Sequence, residues 1–210
     1  MSGSAFLDAE QIAERSEQLL AQVASAFAGV TLGRGVSIED ADAYEDPNWP
    51  SYDERSKRLD DAEYMQQFND WQSLNLRWKG VSVSTYCGFL SPESFRYYVP
   101  FFLTCWLRAG LPDFRDEIKT GWDELDERLY WFFTSYDLEK YFEWHRTQIS
   151  ILSRRQKRCI AEFFALMLEA GMMPGNNGSK DWPVVMRFWG KYLDAKDLKR
   201  VKHEYLARLD

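Results

Sequence analysis

The chain has 210 residues, with 33 acidic and 26 basic side chains and a formal net charge of −7. Its 9 Trp, 11 Tyr and 14 Phe raise the aromatic share to 16%, and 45% of residues are hydrophobic against 28% charged, which excludes a disordered chain. The acidic total argues against general nucleic-acid binding, which needs a basic footprint to displace counterions.

Almost every readable segment has helical period. From Asp8 onward, Ile12, Leu19, Leu20, Val23 and Phe27 share one face, and Gly29 is placed to end that helix. Residues 31–36 (TLGRGV) form a glycine-punctuated loop, after which Ser37 and Asp40 resemble a helix start. Pro47-Asn48-Trp49-Pro50 is a rigid connector, because each proline restricts the residue before it. Ser51, Asp53 and Glu54 open a charged helix running to about Tyr64. Residues 74–84 hold the one stretch of period-2 alternation (Leu74, Leu76, Trp78, then Val81 and Val83), enough for at most a short hairpin.

Ser91-Pro92-Glu93 is a helix start, with a serine cap, proline in the first turn and an early carboxylate. That helix carries Phe95, Tyr98, Phe102 and Trp106, and Pro100 within it predicts a kink. Thr120 and Asp123 cap a helix with Trp122, Leu125, Leu129 and Phe133 inward. Ser153-Arg154-Arg155-Gln156 matches a capping box, followed by Ile160, Phe163, Phe164, Met167 and Leu168 at spacings of three and four. Gly171 and Pro174 stop that helix. Asp181 opens a helix with Val185, Phe188, Trp189 and Tyr192, and Asp194 opens the last, with Leu198, Val201, Tyr205 and Leu209. The expectation is one all-α domain over residues 1–210, with about seven to nine helices and basic C-terminal helices over residues 181–210.

Met1–Gln11 lacks the basic and apolar regions of a signal peptide. The longest apolar run, Tyr97–Leu107, is too short for a bilayer core, which takes about 20 helical residues. Cys87, Cys105 and Cys159 are an odd, widely spaced set, read as free thiols in a reducing cytoplasm.

The charge is polarised along the chain. Residues 1–63 hold 14 acids and 5 bases, whereas residues 151–210 hold 7 acids and 12 bases. The densest acidic run, Glu39–Asp46, has five acids in eight residues and no base. A solvated face is the bland account of such a run. The sharper one is a landing surface for a basic partner, with Tyr44, Trp49 and Tyr52 as aromatic anchors. The basic C-terminal third is expected to pair with the acidic N-terminal part, within one molecule or head-to-tail in a homodimer.

No catalytic constellation organises the chain. His145 and His203 are the only histidines, and with the cysteines they show no H-x-x-x-H or C-x-x-C spacing, so neither a metal nor a cofactor is expected. G-x-S-x-G is absent, and Gly33-Arg34-Gly35 and Gly175–Lys180 lack the order of a phosphate cradle. Carboxylate pairs such as Asp60-Asp61 are too abundant to single one out.

Residues 88–100 (GFLSPESFRYYVP) resemble the F-L-[ST/D]-x-E-[AG]-F-R-[YF]-Y-[LV]-P signature of a bacterial family of uncharacterised domains. Residues 26–30 and 32–37 are similar to that family's opening segment, Asp70-Trp71 to its aspartate-tryptophan step, and Leu152-Ser153 with Gln156, Ile160 and Phe163 to its closing helix. Ser94 stands where the family often has alanine or glycine. The resemblance spans about residues 20–170 and carries no activity or catalytic residues. It implies a small acidic bacterial protein of a kind met as candidate immunity proteins beside toxin genes.

The leading expectation is therefore a non-enzymatic cytoplasmic immunity protein that occludes a toxin or other basic partner. The expected contact surface is Asp40, Asp42, Tyr44, Glu45, Asp46, Trp49 and Tyr52. Two alternatives stand beside it. One is a small enzyme using carboxylates and His145 in a cleft beneath the Pro100 kink. The other is a regulator or scaffold holding nucleic acid on its basic C-terminal helices.

Overall fold

A computed structural model describes residues 7–33, 91–109, 146–170 and 188–206. The first helix, α1 (Ala9–Ala26), begins where local chemistry says it should. The Asp8 carboxylate accepts from the Gln11 N–H at 2.8 Å, and the Gln11 side chain accepts from the Asp8 N–H at 3.1 Å. This reciprocal box satisfies two donors that the first turn would leave unpaired. Ile12, Ser16, Leu19, Val23 and the capping Phe27 are buried, so Ser16 joins the inward face and Leu20 is only half-buried. The chain leaves through a turn in which the Val30 N–H donates to the Phe27 carbonyl at 3.1 Å. Gly29 adopts φ 72° there, a left-handed conformation that glycine reaches at no steric cost.

The second helix, α2 (Pro92–Ala109), is capped by the Ser91 hydroxyl, which accepts from the Ser94 N–H at 3.2 Å. It runs through Pro100 to Ala109. The spacing of its aromatics predicts one apolar stripe, and Phe95, Tyr98 and Phe102 are indeed buried. Tyr97, Val99, Phe101, Leu103 and Leu107 are buried as well. A helix apolar on all sides belongs in the interior, where neighbours cover every face. Tyr97 and Tyr98 meet edge to face at 5.1 Å.

The third helix, α3 (Arg154–Glu169), opens on the capping box expected of it. The Ser153 hydroxyl accepts from the Gln156 N–H at 3.2 Å, and the Gln156 side chain accepts from the Ser153 N–H at 2.9 Å. From Phe163 to Glu169 every residue is buried. Helix α3 packs on α1, on the 3-10 helix Gly190–Tyr192 and on α4 (Ala195–Leu206), and α2 packs against α1. The α1–α3 pair is antiparallel. Arg15 reaches Glu169 at one end, and Arg155 and Gln156 reach Ser25 and Ala26 at the other.

The described residues are mainly helical, with no strand among them. They contain four whole α-helices and one 3-10 helix, and residues 146–150 and 188–189 are helical as well. The possible hairpin at residues 74–84 and the helix expected from Thr120 lie outside the described residues, as does much of the helix expected from Asp181. Trp189 is wholly buried between elements. Its ring stacks on Phe164 at 6.2 Å and meets Phe188 edge-on at 5.2 Å and Tyr192 at 5.9 Å.

Trp189 joins α3 to the C-terminal elements through its ring packing, so Trp189→Ala should cost about 3–5 kcal/mol. Removing the α3 cap with Ser153→Ala should cost about 1 kcal/mol. Urea titrations of the two variants should preserve that order, and a Trp189→Ala loss no larger than that of Ser153→Ala would show that this cluster is not central to the core.

Candidate functional site

The densest side-chain chemistry in the described structure gathers where α3 meets α1 and α4. Glu169 ends α3 with its side chain 3% exposed, and a carboxylate so removed from water requires partners. It has two. The Arg15 guanidinium of α1 donates to Oε2, and Arg200 Nε of α4 donates to Oε1 at 2.6 Å. The Glu169 main-chain carbonyl also accepts from the Leu7 N–H at 3.1 Å, ahead of α1. One residue thus ties three segments together. Burial works against the Arg200 charge, but the Glu169 hydrogen bond and carboxylate, with Asp197, outweigh it and raise the Arg200 pKa.

The network continues through α4 back to α3. Arg200 Nη1 lies 2.8 Å from Asp197, and Arg158 draws in Glu162 at 2.5 Å, Asp194 at 3.0 Å and Asp197 at 3.6 Å. Asp194 does two things at once. Its Oδ1 caps α4 by accepting from the Asp197 N–H at 2.9 Å, and its Oδ2 accepts from Arg158. The Asp197 N–H holds the Asp194 carboxyl below its ordinary range; slight burial opposes this and Arg158 adds to it. The charge of Arg158 is favoured first by its hydrogen bond to Glu162.

A second cluster has the opposite character. Lys191 Nζ sits 5.1 Å from the ring centroids of both Phe188 and Tyr192, and Lys157 Nζ of α3 lies 5.8 Å from the Tyr192 ring. Cations over ring faces are stabilised by the quadrupole, by about 0.5–1 kcal/mol at exposed sites. The two ammonium groups repel each other across the ring. Partial burial and then Lys191 push the Lys157 pKa down. Neither lysine has a carboxylate partner among the described residues, in contrast with Arg158 next to Lys157 in the chain.

Of the residues singled out from sequence, Asp40, Asp42, Tyr44, Glu45, Asp46, Trp49 and Tyr52 all lie outside the described residues, as does His145. Cys159 is a buried free thiol whose pKa is pushed up to about 11, chiefly by burial, which makes it a packing residue and a poor nucleophile. Among the described residues no group of three or more His, Cys, Asp or Glu could hold a metal ion, and no helix is long and apolar enough to cross a membrane. Sequence reading missed Glu169 and the Lys157–Tyr192–Lys191 convergence. The available signal for Glu169 was a carboxylate closing an apolar helical run.

The described geometry defines a mainly helical protein whose frame is locked by a charged chain of contacts from α1 through α3 to α4. Residues 15–193 match DUF6714, a family of unknown function, and the chain belongs to that family. The match begins at Arg15 and takes in Glu169, Lys157, Lys191 and Tyr192, but stops one residue short of the Asp194 cap. No curated protein and no solved structure matches the chain.

Three outcomes follow from the network. Glu169→Gln should cost about 2–3 kcal/mol in a denaturant titration, less than a wholly buried pair because Arg15 and Arg200 both reach solvent. Arg15→Ala should cost less than that, since Arg200 still answers the carboxylate. A neutral Glu169→Gln would show that the carboxylate is not a tie point. For Asp194, a folded pKa below the unfolded one means stabilisation that is complete above the unfolded value of about 3.9 and lost as pH falls through the folded value. Asp194→Asn keeps the cap acceptor without the titration. The gap in melting temperature between wild type and Asp194→Asn should therefore narrow on acidification below about pH 4, and a gap independent of pH would contradict the assignment.

Proposed function

We propose that the chain is a protein-binding protein, most concretely an immunity protein that neutralises a basic toxin by covering its working surface. The observation that carries this reading is how the frame distributes its ion pairs. Arg158 and Arg200 pair with Glu162, Glu169, Asp194 and Asp197, all within the C-terminal third, and Arg15 pairs with Glu169. These guanidiniums are already engaged by carboxylates of the frame. That supports a partner from outside the chain as the source of positive charge for Asp40, Asp42, Glu45 and Asp46.

Tyr44, Trp49 and Tyr52 supply the apolar half of such a contact. Interfaces draw most of their affinity from a few aromatic and arginine anchors, while surrounding charge sets approach rate and partner choice. The same pairing weighs against nucleic acid on the last helices, since Arg200 of α4 already holds Glu169 and Asp197.

The test is co-expression with the product of the neighbouring gene, followed by co-purification and a growth-protection assay. A complex and protection are expected. Reversal of all four acids (D40K, D42K, E45K, D46K) should slow association about tenfold or more and abolish protection at low toxin excess. Failure of any partner to co-purify, with protection intact after reversal, would discard the reading.

A further inference from the structure

In the Lys157–Tyr192–Lys191 cluster the Tyr192 ring packs on Trp189, but the two ammonium groups take no part in the ion pairs of the frame or in the contact proposed above. Lys191 is exposed and Lys157 half-buried, and both project ammonium groups over one ring. Arg154, exposed and one turn before Lys157 on α3, adds a third cation to that side of the helix. Two like charges held around one ring destabilise each other unless an anion answers both. The neighbouring carboxylates do not, because Glu162, Asp194 and Asp197 turn to Arg158.

We propose that Arg154, Lys157 and Lys191, arranged around Tyr192, form a self-association surface that receives the acidic run Glu39–Asp46 of a second copy of this chain. The charge complementarity is written in one sequence. Residues 1–63 carry 14 acids against 5 bases, residues 151–210 carry 12 bases against 7 acids, and the run itself holds five acids with no base. Two copies related by a two-fold axis make the contact twice, each donating its acidic run and offering its lysine pair. Carboxylates bridging Lys157 and Lys191 remove the repulsion that each lysine suffers alone. The inference does not rest on the immunity reading, because both contact surfaces belong to this chain. If both hold, a basic partner competes with the second copy for the acidic run, and the dimer is the partner-free form.

Sedimentation velocity of the full chain, across a wide concentration range at low and high salt, tests this. A reversible dimer that weakens with salt is expected, since exposed charges are screened beyond about 10 Å at 0.1 M ionic strength. K157E/K191E should weaken it about tenfold or more, as like charges then face each other. K157Q/K191Q should weaken it less while melting at the wild-type temperature, which separates loss of contact from loss of fold. The decisive arm mixes two variants. K157E/K191E and D40K/D42K/E45K/D46K should each be monomeric alone and form a dimer together, because reversal restores both contacts only between unlike copies. A wild type that stays monomeric at every concentration, as capture of the acidic run by its own chain or by a foreign protein would give, overturns the proposal. So does a dimer indifferent to the lysine substitutions. The lysine variants retain the acidic run, so loss of self-association with protection intact separates this proposal from the immunity reading.

Discussion

The described structure depends on one buried carboxylate. Glu169 is almost wholly removed from water, and its two oxygens are divided between helices on opposite sides, Arg15 of α1 and Arg200 of α4. An ionised carboxylate in such a place is tolerable only with charged donors on both oxygens, so the position of each helix end is set by the needs of the same group. Apolar packing alone would leave freedom to slide. The burial of Phe163, Phe164 and Met167 is non-directional, whereas two guanidiniums and one carboxylate meet in one geometry.

The opposite end of the α1–α3 pair is held by a different device. Gln156 closes the capping box of α3 with its side-chain oxygen, and its amide nitrogen donates to the Ala26 carbonyl at 3.2 Å. That carbonyl belongs to the last turn of α1, one of the groups a helix end leaves without an internal partner. A single side chain therefore satisfies the start of one helix and the end of another, from 130 residues away in the chain. Between a charged tie at one end and an amide tie at the other, the antiparallel pair has a defined register, and α2 lies against α1 with its apolar surface covered on nearly every side.

Local chemistry was legible and distant chemistry was not. The caps at Asp8, Ser91, Ser153 and Asp194 each involve a side chain and a backbone group three residues on, so four helix starts could be read from adjacent letters. The same holds for Gly29, where the turn itself demands a positive φ. Gln156 was legible as a box partner but not as the cap of α1, and Glu169 was one acid among 33 until Arg15 and Arg200 met it. Periodicity understated α2, because a stripe rule counts one face and cannot show that the others are covered. The lysine cluster depended on a backbone detail. Tyr192 reads as a continuation of the helical face of Phe188 and Trp189, but the chain tightens to a 3-10 helix at Gly190–Tyr192, and the ring turns between Lys157 and Lys191. The candidate contact residues from Asp40 to Tyr52 were reached through charge and composition, with no local pattern to place them.

The frame also sorts its cations by chemistry, and that sorting decides what is left for a partner. A guanidinium offers five donors in a plane and is weakly hydrated, so one arginine can serve several carboxylates in a half-buried place. Arg158 serves three and Arg200 two. An ammonium is compact and strongly hydrated, and it favours a ring face at the edge of solvent, as Lys157 and Lys191 do. Arginine-for-lysine exchange would not be conservative at either place. Lysine at position 158 could not span Glu162, Asp194 and Asp197 together, and arginine at position 191 would put a planar fork where a compact ammonium now sits over two rings. The C-terminal third is thus net basic by count, yet Arg158 and Arg200 are neutralised within the frame, while Arg154, Lys157 and Lys191 carry charge outward. A partner approaching that side meets ammonium groups on an aromatic platform.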